Sequence, residues 1–378
     1  MEMAALLPLS RLNEKWHGWD IKKSSNKEYK AMRQFQSLEE YLSLGLRNRW
    51  HPVLSSWEIE SNPVGITRLG ENLVLWRDED GKVHALEDRC PHRGARLSLG
   101  WNLGNKVACW YHGVEVDKTG TVVDVPAVND CPMKGQTCVR SYPVEESNGA
   151  VFVWFGLEDG QAPTPLELPE QLASDDWSSF LCMADWKVNY QYAVDNVMDP
   201  MHGAFLHATS HSMSEGDKQS DMEFRKTKDG FVFEKTGQKG VNFDWVEYGD
   251  TGSPWLRLSI PYKKDFGPGG VFWIVGFATP IDEHHTRVFF WRCREVQGWQ
   301  RDTWRFMYRT YLEKLHWDVL EQDRIILENM APQAQAHEFL YQHDVGLARL
   351  RRIFQKEGKK QFNQLQASKE LKEEKASA

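Results

Sequence analysis

The chain opens on a polar, mixed stretch and then changes pattern twice. Residues 1–45 are punctuated by Lys, Asn and Ser (Lys22-Lys23-Ser24-Ser25-Asn26-Lys27), and their one apolar periodicity predicts an amphipathic helix over Leu38–Leu46. This N-terminal leader ends where short apolar runs begin to alternate with turn residues, from Trp50 to about Gly156. Asp80-Gly81 divides Leu73–Trp76 from Val83–Leu86, and Lys118-Thr119-Gly120 divides Val114–Val116 from Thr121–Val123. Asn148-Gly149 precedes the run Val151–Phe155. Asp-Gly and Asn-Gly between apolar runs signal hairpins, so an all-β domain is expected over 46–157. The proline-rich connection at Pro163, Pro165 and Pro169 marks a boundary. Beyond it, a helical stretch over Val188–Phe205, strand-like runs to Cys293 and a long helix over Trp304–Met330 predict a second domain at 158–355. One of those runs, Gly269–Ile281, reads as a buried strand interrupted by Gly276. From Lys356 the chain is rich in Lys, Glu and Gln, which predicts a frayed, charged tail at 356–378.

Composition and charge sharpen this picture. With 378 residues, 41% hydrophobic and 26% charged, the chain can fill two or three packed cores, which excludes disorder throughout. The net charge of −8 gives no footprint for nucleic acid. No apolar run reaches the roughly 18 residues of a membrane helix, and Met1–Ser10 lacks the basic segment of a secretory signal. Six dispersed cysteines form no disulfide framework, so a reducing cytoplasm is expected. Seventeen tryptophans suggest flat pockets or simply core.

The all-β region holds Cys90-Pro91-His92-Arg93-Gly94 and Cys109-Trp110-Tyr111-His112-Gly113. Two loops thus each deliver one thiolate and one imidazole. Four such ligands suit a structural zinc, or a [2Fe–2S] cluster in which two histidines replace two cysteines on one iron. Zinc sites more often pair Cys with Cys, and the flanking Gly and Pro suit loops whose N–H groups approach bridging sulfides. Cys131, Cys138, Cys182 and Cys293 have no histidine at ligand spacing and read as ordinary thiols. The first four residues resemble the C-x-H…C-x2-H motif of Rieske iron–sulfur domains. Arg47-Asn48-Arg49-Trp50-His51-Pro52-Val53 resembles the entry strand of the Rieske oxygenases.

A second constellation lies in Asn189–His207. On a regular helix Asp195, Asp199 and His202 share one face, whereas His207 falls roughly 140° from His202. Both imidazoles reach one metal only if the helix ends or bends between them, and Gly203 is placed to permit that. A third ligand must come from elsewhere. The long helix carries an apolar stripe of Trp304, Tyr308, Tyr311, Leu312, Leu315, Val319, Ile326 and Met330. Asp323 lies roughly 60° from its centre, Asp318 roughly 80° and Glu321 roughly 140°, so geometry favours Asp323 narrowly, with Asp318 its rival. The run 189–207 resembles the iron-binding helix of Rieske non-haem iron oxygenases, and Asp323–Glu328 resembles that family's C-terminal carboxylate segment.

The resemblance covers about residues 40–350 and implies an α+β chain: an all-β Rieske domain followed by an antiparallel-sheet catalytic domain with flanking helices. It implies that Cys90 and Cys109 hold the buried iron of a [2Fe–2S] cluster, and His92 and His112 the solvent-side one. His202, His207 and Asp323 would hold Fe(II), a 2-His-1-carboxylate arrangement with positions open for O2. Asp199 resembles the family's bridging carboxylate, which orients His202 and reaches a cluster histidine of a neighbouring subunit; Asp195 and Asn196 are its helpers. The implied activity is that of a terminal oxygenase using electrons from a ferredoxin or flavin reductase to hydroxylate or dihydroxylate a small aromatic substrate. O- or N-demethylation by a Rieske monooxygenase is the alternative, and a pure electron carrier a remoter one. The Met198-Asp199-Pro200 run resembles the branch built of α subunits alone, which implies a homotrimer.

Overall fold

The computed structural model describes residues 35–262, 270–331 and 333–377. Most of the expected leader therefore lies outside the described residues, apart from helix α1 (Leu38–Ser43), capped by the Ser37 side chain. Eleven short strands follow: β1 (Arg49–Ser55), β2 (Val64–Arg68), β3 (Glu71–Arg77), β4 (Val83–Glu87), β5 (Trp101–Asn102), β6 (Lys106–Ala108), β7 (Glu115–Asp117), β8 (Val122–Asp124), β9 (Ser141–Tyr142), β10 (Val144–Ser147) and β11 (Ala150–Phe155). They pair antiparallel in three small sheets, ordered β1-β11-β10, β2-β3-β4-β9 and β5-β6-β7-β8. The three glycine turns join β3 to β4, β7 to β8 and β10 to β11, with Gly81, Gly120 and Gly149 at φ of +79°, +83° and +77°. Gly120 is irreplaceable on a second count, since a Cβ there would lie 1.8 Å from the Val139 carbonyl oxygen.

The second region is built on one seven-stranded antiparallel sheet. Its strands are β12 (Trp177–Trp186), β13 (Met222–Lys226), β14 (Gly230–Lys235), β15 (Trp245–Asp250), β16 (Pro254–Tyr262), β17 (Gly270–Pro280) and β18 (Thr286–Glu295), in the order β12-β18-β17-β16-β15-β14-β13. Side chains alternate between its two faces. One face, with Trp255, Phe277, Phe289 and Trp291, packs on Trp50, Phe152 and Trp154 of β1 and β11. The other, with Phe231, Val246, Leu258 and Phe290, is covered by helices. These are α2 (Tyr190–Val197), α3 (Gly203–Leu206), α4 (Gly298–Met307), α5 (Glu313–Glu328) and α6 (Val345–Ser377). The tryptophans serve mainly as core: Trp50, Trp76, Trp186 and Trp291 are all fully buried.

Three expectations need correction. The helix expected over Val188–Phe205 stops at Val197, because Pro200 excludes the helical conformation from Asp199, whose carboxylate instead accepts the Met201 N–H at 2.8 Å. The break thus falls before His202 and not at Gly203. The helix expected over Trp304–Met330 contains a π-helical turn at Tyr308–Leu312. A π turn absorbs an extra residue, so the buried line runs Trp304, Tyr308, Leu312, His316, Leu320, Asp323 and Leu327. Ile326 and Met330, expected inside, are exposed. The charged tail does not fray at Lys356: α6 continues to Ser377, as its Lys, Glu, Gln and Ala favour. Buried Gln361 docks it by accepting from the Tyr41 hydroxyl (2.6 Å) and the Arg47 amide (3.0 Å).

Candidate active site

The cysteine–histidine loops are built alike. In each, the glycine amide four residues on closes a turn on the cysteine carbonyl, Gly94 to Cys90 at 2.9 Å and Gly113 to Cys109 at 2.8 Å. Both glycines have positive φ, +75° and +68°. Cys90 and Cys109 are each 2% exposed and sit in an apolar cluster with Leu97, Val107, Val114 and Val116. Burial pushes the Cys90 thiol up to about 11, the Cys109 sulfur beside it acting in the same sense, while the backbone N–H groups of His92 and Arg93 oppose them. The imidazoles lie outermost, His92 exposed and His112 partly so, with their Nδ1 atoms 3.2 Å apart. Neighbouring ligands at about 2.1 Å from one ion stand about 3 Å apart, so both nitrogens suit one metal. Two sulfurs inside and two nitrogens outside fit a mixed-ligand [2Fe–2S] cluster.

The second cluster forms where α3, bracketed by His202 and His207, meets α5. Ligand atoms of His202, His207 and Asp323 lie within 4.8 Å of one another, the one such group of three among the described residues. Asp323 Oδ1 stands 3.2 Å from His207 Nε2 and 3.6 Å from His202 Nε2. The π turn is what carries Asp323 onto the buried line. Asp318 points to solvent and pairs with Lys314 at 3.3 Å. Burial alone would raise the Asp323 carboxyl, but the imidazoles facing it hold it below its usual range. An ionised carboxylate opposed by two imidazole nitrogens, all nearly dry, suits one divalent cation.

Around this group the predicted helpers separate. Asn196 donates from Nδ2 to Asp323 Oδ1 at 3.0 Å. Asp199 keeps its other oxygen 3.9 Å from His202 Nδ1, a contact beyond hydrogen-bond length. Asp195 turns away, because the helix break ends their shared face, and pairs with Arg351 at 2.6 Å and Gln335 at 3.2 Å. Sequence reasoning missed Gln322, whose Oε1 accepts from His207 Nδ1 at 2.8 Å. An amide beside the candidate carboxylate was its only sequence signal.

Comparison with known proteins adds an independent line. Residues 49–143 match the Rieske [2Fe-2S] domain, and residues 186–359 match the Vanillate O-demethylase oxygenase C-terminal domain. The chain is 35% identical over 170 residues to the iron–sulfur subunit of a toluene-4-sulfonate monooxygenase system of Comamonas testosteroni, covering 44% of this chain and 47% of that protein. It is 33% identical over 172 residues to a vanillate O-demethylase oxygenase subunit of a Pseudomonas species, covering 46% and 48%. The match thus spans about half the length of these relatives. In structure the chain resembles the terminal oxygenase of carbazole 1,9a-dioxygenase from Novosphingobium sp. KA1, with TM-score 0.67 and 23% identity over 84% of this chain and 94% of that one. Two matched domains in this order, one holding the Cys–His loops and the other the His–His–Asp group, establish that the chain belongs to the Rieske oxygenase family.

Proposed function

We propose that this protein is the terminal oxygenase of a multicomponent system, taking electrons from a ferredoxin or flavin reductase and oxygenating an aromatic substrate by hydroxylation or ring dihydroxylation. The observation that carries this reading is the convergence of His202, His207 and Asp323 in a chain that also holds the Cys90/His92/Cys109/His112 loops. A pure electron carrier needs only the second set. Fe(II) in the triad, fed by the cluster, would supply O2 activation. The chain's own part is to hold and orient. His202 and His207 present Nε2, and Gln322 fixes the proton of His207 on Nδ1. Asn196 steadies one Asp323 oxygen. Asp199 sets a charge beside His202, for which we keep the bridging role toward a cluster histidine of a neighbouring subunit, and with it a homotrimer. Asp195 supports α2 through Arg351.

The division into 46–157 and 158–355 and a cytoplasmic home belong to the same reading. The latter is supported by six free cysteines, and no helix among the described residues is long and apolar enough to cross a membrane. A second reading, O- or N-demethylation, is favoured by the vanillate O-demethylase-type match over 186–359. The test is metal analysis joined to turnover. About three irons per chain and donor-dependent O2 uptake with aryl acids, aryl ethers or heteroaromatics are expected. About two irons, with no O2 uptake, would leave only a carrier. Product identity separates ring hydroxylation from demethylation.

A further inference from the structure

The two histidines of the triad are held by different means. His207 is fixed by the hydrogen bond from its Nδ1 to Gln322, 2.8 Å long. His202 has no such tie: its Nδ1 is buried without a hydrogen-bond partner, and the Asp199 carboxylate facing it stands off at 3.9 Å. A ligand histidine without that second bond can rotate unless packing stops it. What packs on it is Phe243, whose buried ring meets the His202 ring edge to face, with centroids 5.5 Å apart and planes at 78°.

Phe243 also lies against the backbone that carries the imidazole. A Cβ at Gly203 would stand 3.2 Å from the Phe243 Cβ and 3.8 Å from the Met213 sulfur. Glycine at 203 therefore serves the close approach of this wall, while the helix break itself falls earlier, at Pro200.

The segment bearing Phe243, between β14 and β15, is anchored by a knot of buried polar side chains: Lys235, Gln238, Asn242 and Asp244. Asn242 and Asp244 flank Phe243 in the chain. The Lys235 ammonium lies 3.4 Å from Asn242 Oδ1 and 3.7 Å from Asp244 Oδ1. Gln238 donates to both side chains, and Asp244 Oδ2 accepts the Val241 N–H at 2.8 Å. Asn242 donates in turn to the Glu215 carbonyl, and Gln238 accepts the Asp217 N–H, which ties in the chain that follows His207. Burial opposes the Lys235 charge, and the carboxylates of Asp244, Asp199 and Asp217 sustain it. A fully buried lysine is rare, and once paired it is costly to disturb. The wall against His202 is therefore a stiff one.

We propose that Phe243 is the positioning residue of His202, so that packing does for this imidazole what Gln322 does for His207. The inference rests on the triad being the Fe(II) site and adds how its other histidine is aimed. A hydrogen bond from His202 Nδ1 to Asp199 would need the gap between them to close by about 1 Å. An imidazole turning that far carries its Nε2 with it. The Phe243 wall thus sets both the reach toward Asp199 and the aim at Asp323.

The test uses the full chain, loaded anaerobically with Fe(II) and probed with nitric oxide, whose complex with the iron gives an electron paramagnetic resonance signal sensitive to ligand geometry. Chelator competition gives the Fe(II) affinity of the same samples. Phe243→Leu keeps the site apolar but removes the ring edge, so affinity should fall about 10-fold or more and the nitrosyl signal should split or broaden. Gly203→Ala reaches the wall from the other side and should distort the same signal. Phe231→Leu is a comparable loss in the same core, where the ring meets Phe224 and Tyr248. It should leave the signal unchanged and the affinity within about twofold. An unchanged signal and affinity in Phe243→Leu would overturn the proposal, as would equal effects of Phe243→Leu and Phe231→Leu. Should Phe243→Leu fail to fold, an unchanged Gly203→Ala signal would overturn it alone. A wild-type protein that binds no Fe(II) outside the cluster would remove the triad reading itself.

Discussion

Gln322 offers the most direct perturbation of the His–His–Asp site, since it touches a candidate ligand without being one. Its amide oxygen accepts one hydrogen bond, 2.8 Å long, from the Nδ1–H of a histidine whose side chain is 2% exposed. Gln322→Leu keeps the volume and leaves that N–H buried without a partner, a penalty of about 1–3 kcal/mol. The imidazole is also freed to rotate or to change tautomer, which withdraws Nε2 from Asp323. If the penalty falls wholly on the metal-bound state, Fe(II) affinity drops about 5- to 150-fold, in the range seen when outer-shell partners of metal ligands are removed. Competition against a chromogenic chelator under anaerobic conditions reads this directly, while visible absorbance confirms that the [2Fe–2S] cluster is retained. Gln322→Glu supplies a charged acceptor and should hold or raise the affinity. A Gln322→Leu protein that binds Fe(II) within about threefold of wild type would refute the reasoning.

Other expectations follow from the same geometry. Asp323→Ala should empty the mononuclear site and spare the cluster spectrum, whereas Asp318→Ala should do neither, because Asp318 pairs with Lys314 in solvent; metal analysis with visible spectroscopy checks both. Asp199→Asn retains an acceptor for the Met201 amide but removes the charge beside His202, so full iron content with severely slowed cluster oxidation in a single turnover is expected, and wild-type oxidation would exclude Asp199 from the mechanism. In the all-β region, Glu71 meets Arg47 at 2.5 Å, Arg140 at 3.3 Å and the Tyr142 hydroxyl at 2.6 Å. Glu71→Gln should cost about 3–5 kcal/mol at neutral pH, read by denaturant unfolding. Burial opposes ionisation of Glu71, yet the two arginines hold its carboxyl below the ordinary value of 4.5. Its stabilisation is therefore complete above that value and fades as pH falls through the lower folded one, so the gap between variant and wild type should close in acid.

What could be read from the sequence depended on how local the cause was. The Cys90/His92 and Cys109/His112 loops were legible because each is closed within five residues by its own glycine. The three hairpins were legible for the same reason. His202 and His207 are legible as a pair, but Pro200 is a stronger break signal than Gly203, since it ends α2 before either histidine. Asp323 was favoured only narrowly because a regular helix places it off the apolar stripe. The turn that recentres it follows from packing Trp304, Tyr308 and Leu312 on the sheet, which no local pattern reports. Asp195 went astray because its partner, Arg351, lies on another helix. The tail was misread because one buried amide, Gln361, outweighs a charged composition.

The π turn at Tyr308–Leu312 makes the identity of the third ligand depend on a count as well as on a residue. Were the turn to regularise with no residue lost, everything downstream would rotate by about 100° relative to Trp304. Leu315 and Val319 would then take the inward places of His316 and Leu320, and Gln322 that of Asp323. An amide would stand where the carboxylate does, the His207 support would be gone, and no residue would have been substituted. Loss of one residue within the turn would instead leave a regular helix with Asp323 still facing the histidines, so the extra residue and the π turn that absorbs it are matched. Regularising 308–312 at full length is therefore what would switch the site off, while the sheet and the cluster domain stay as they are.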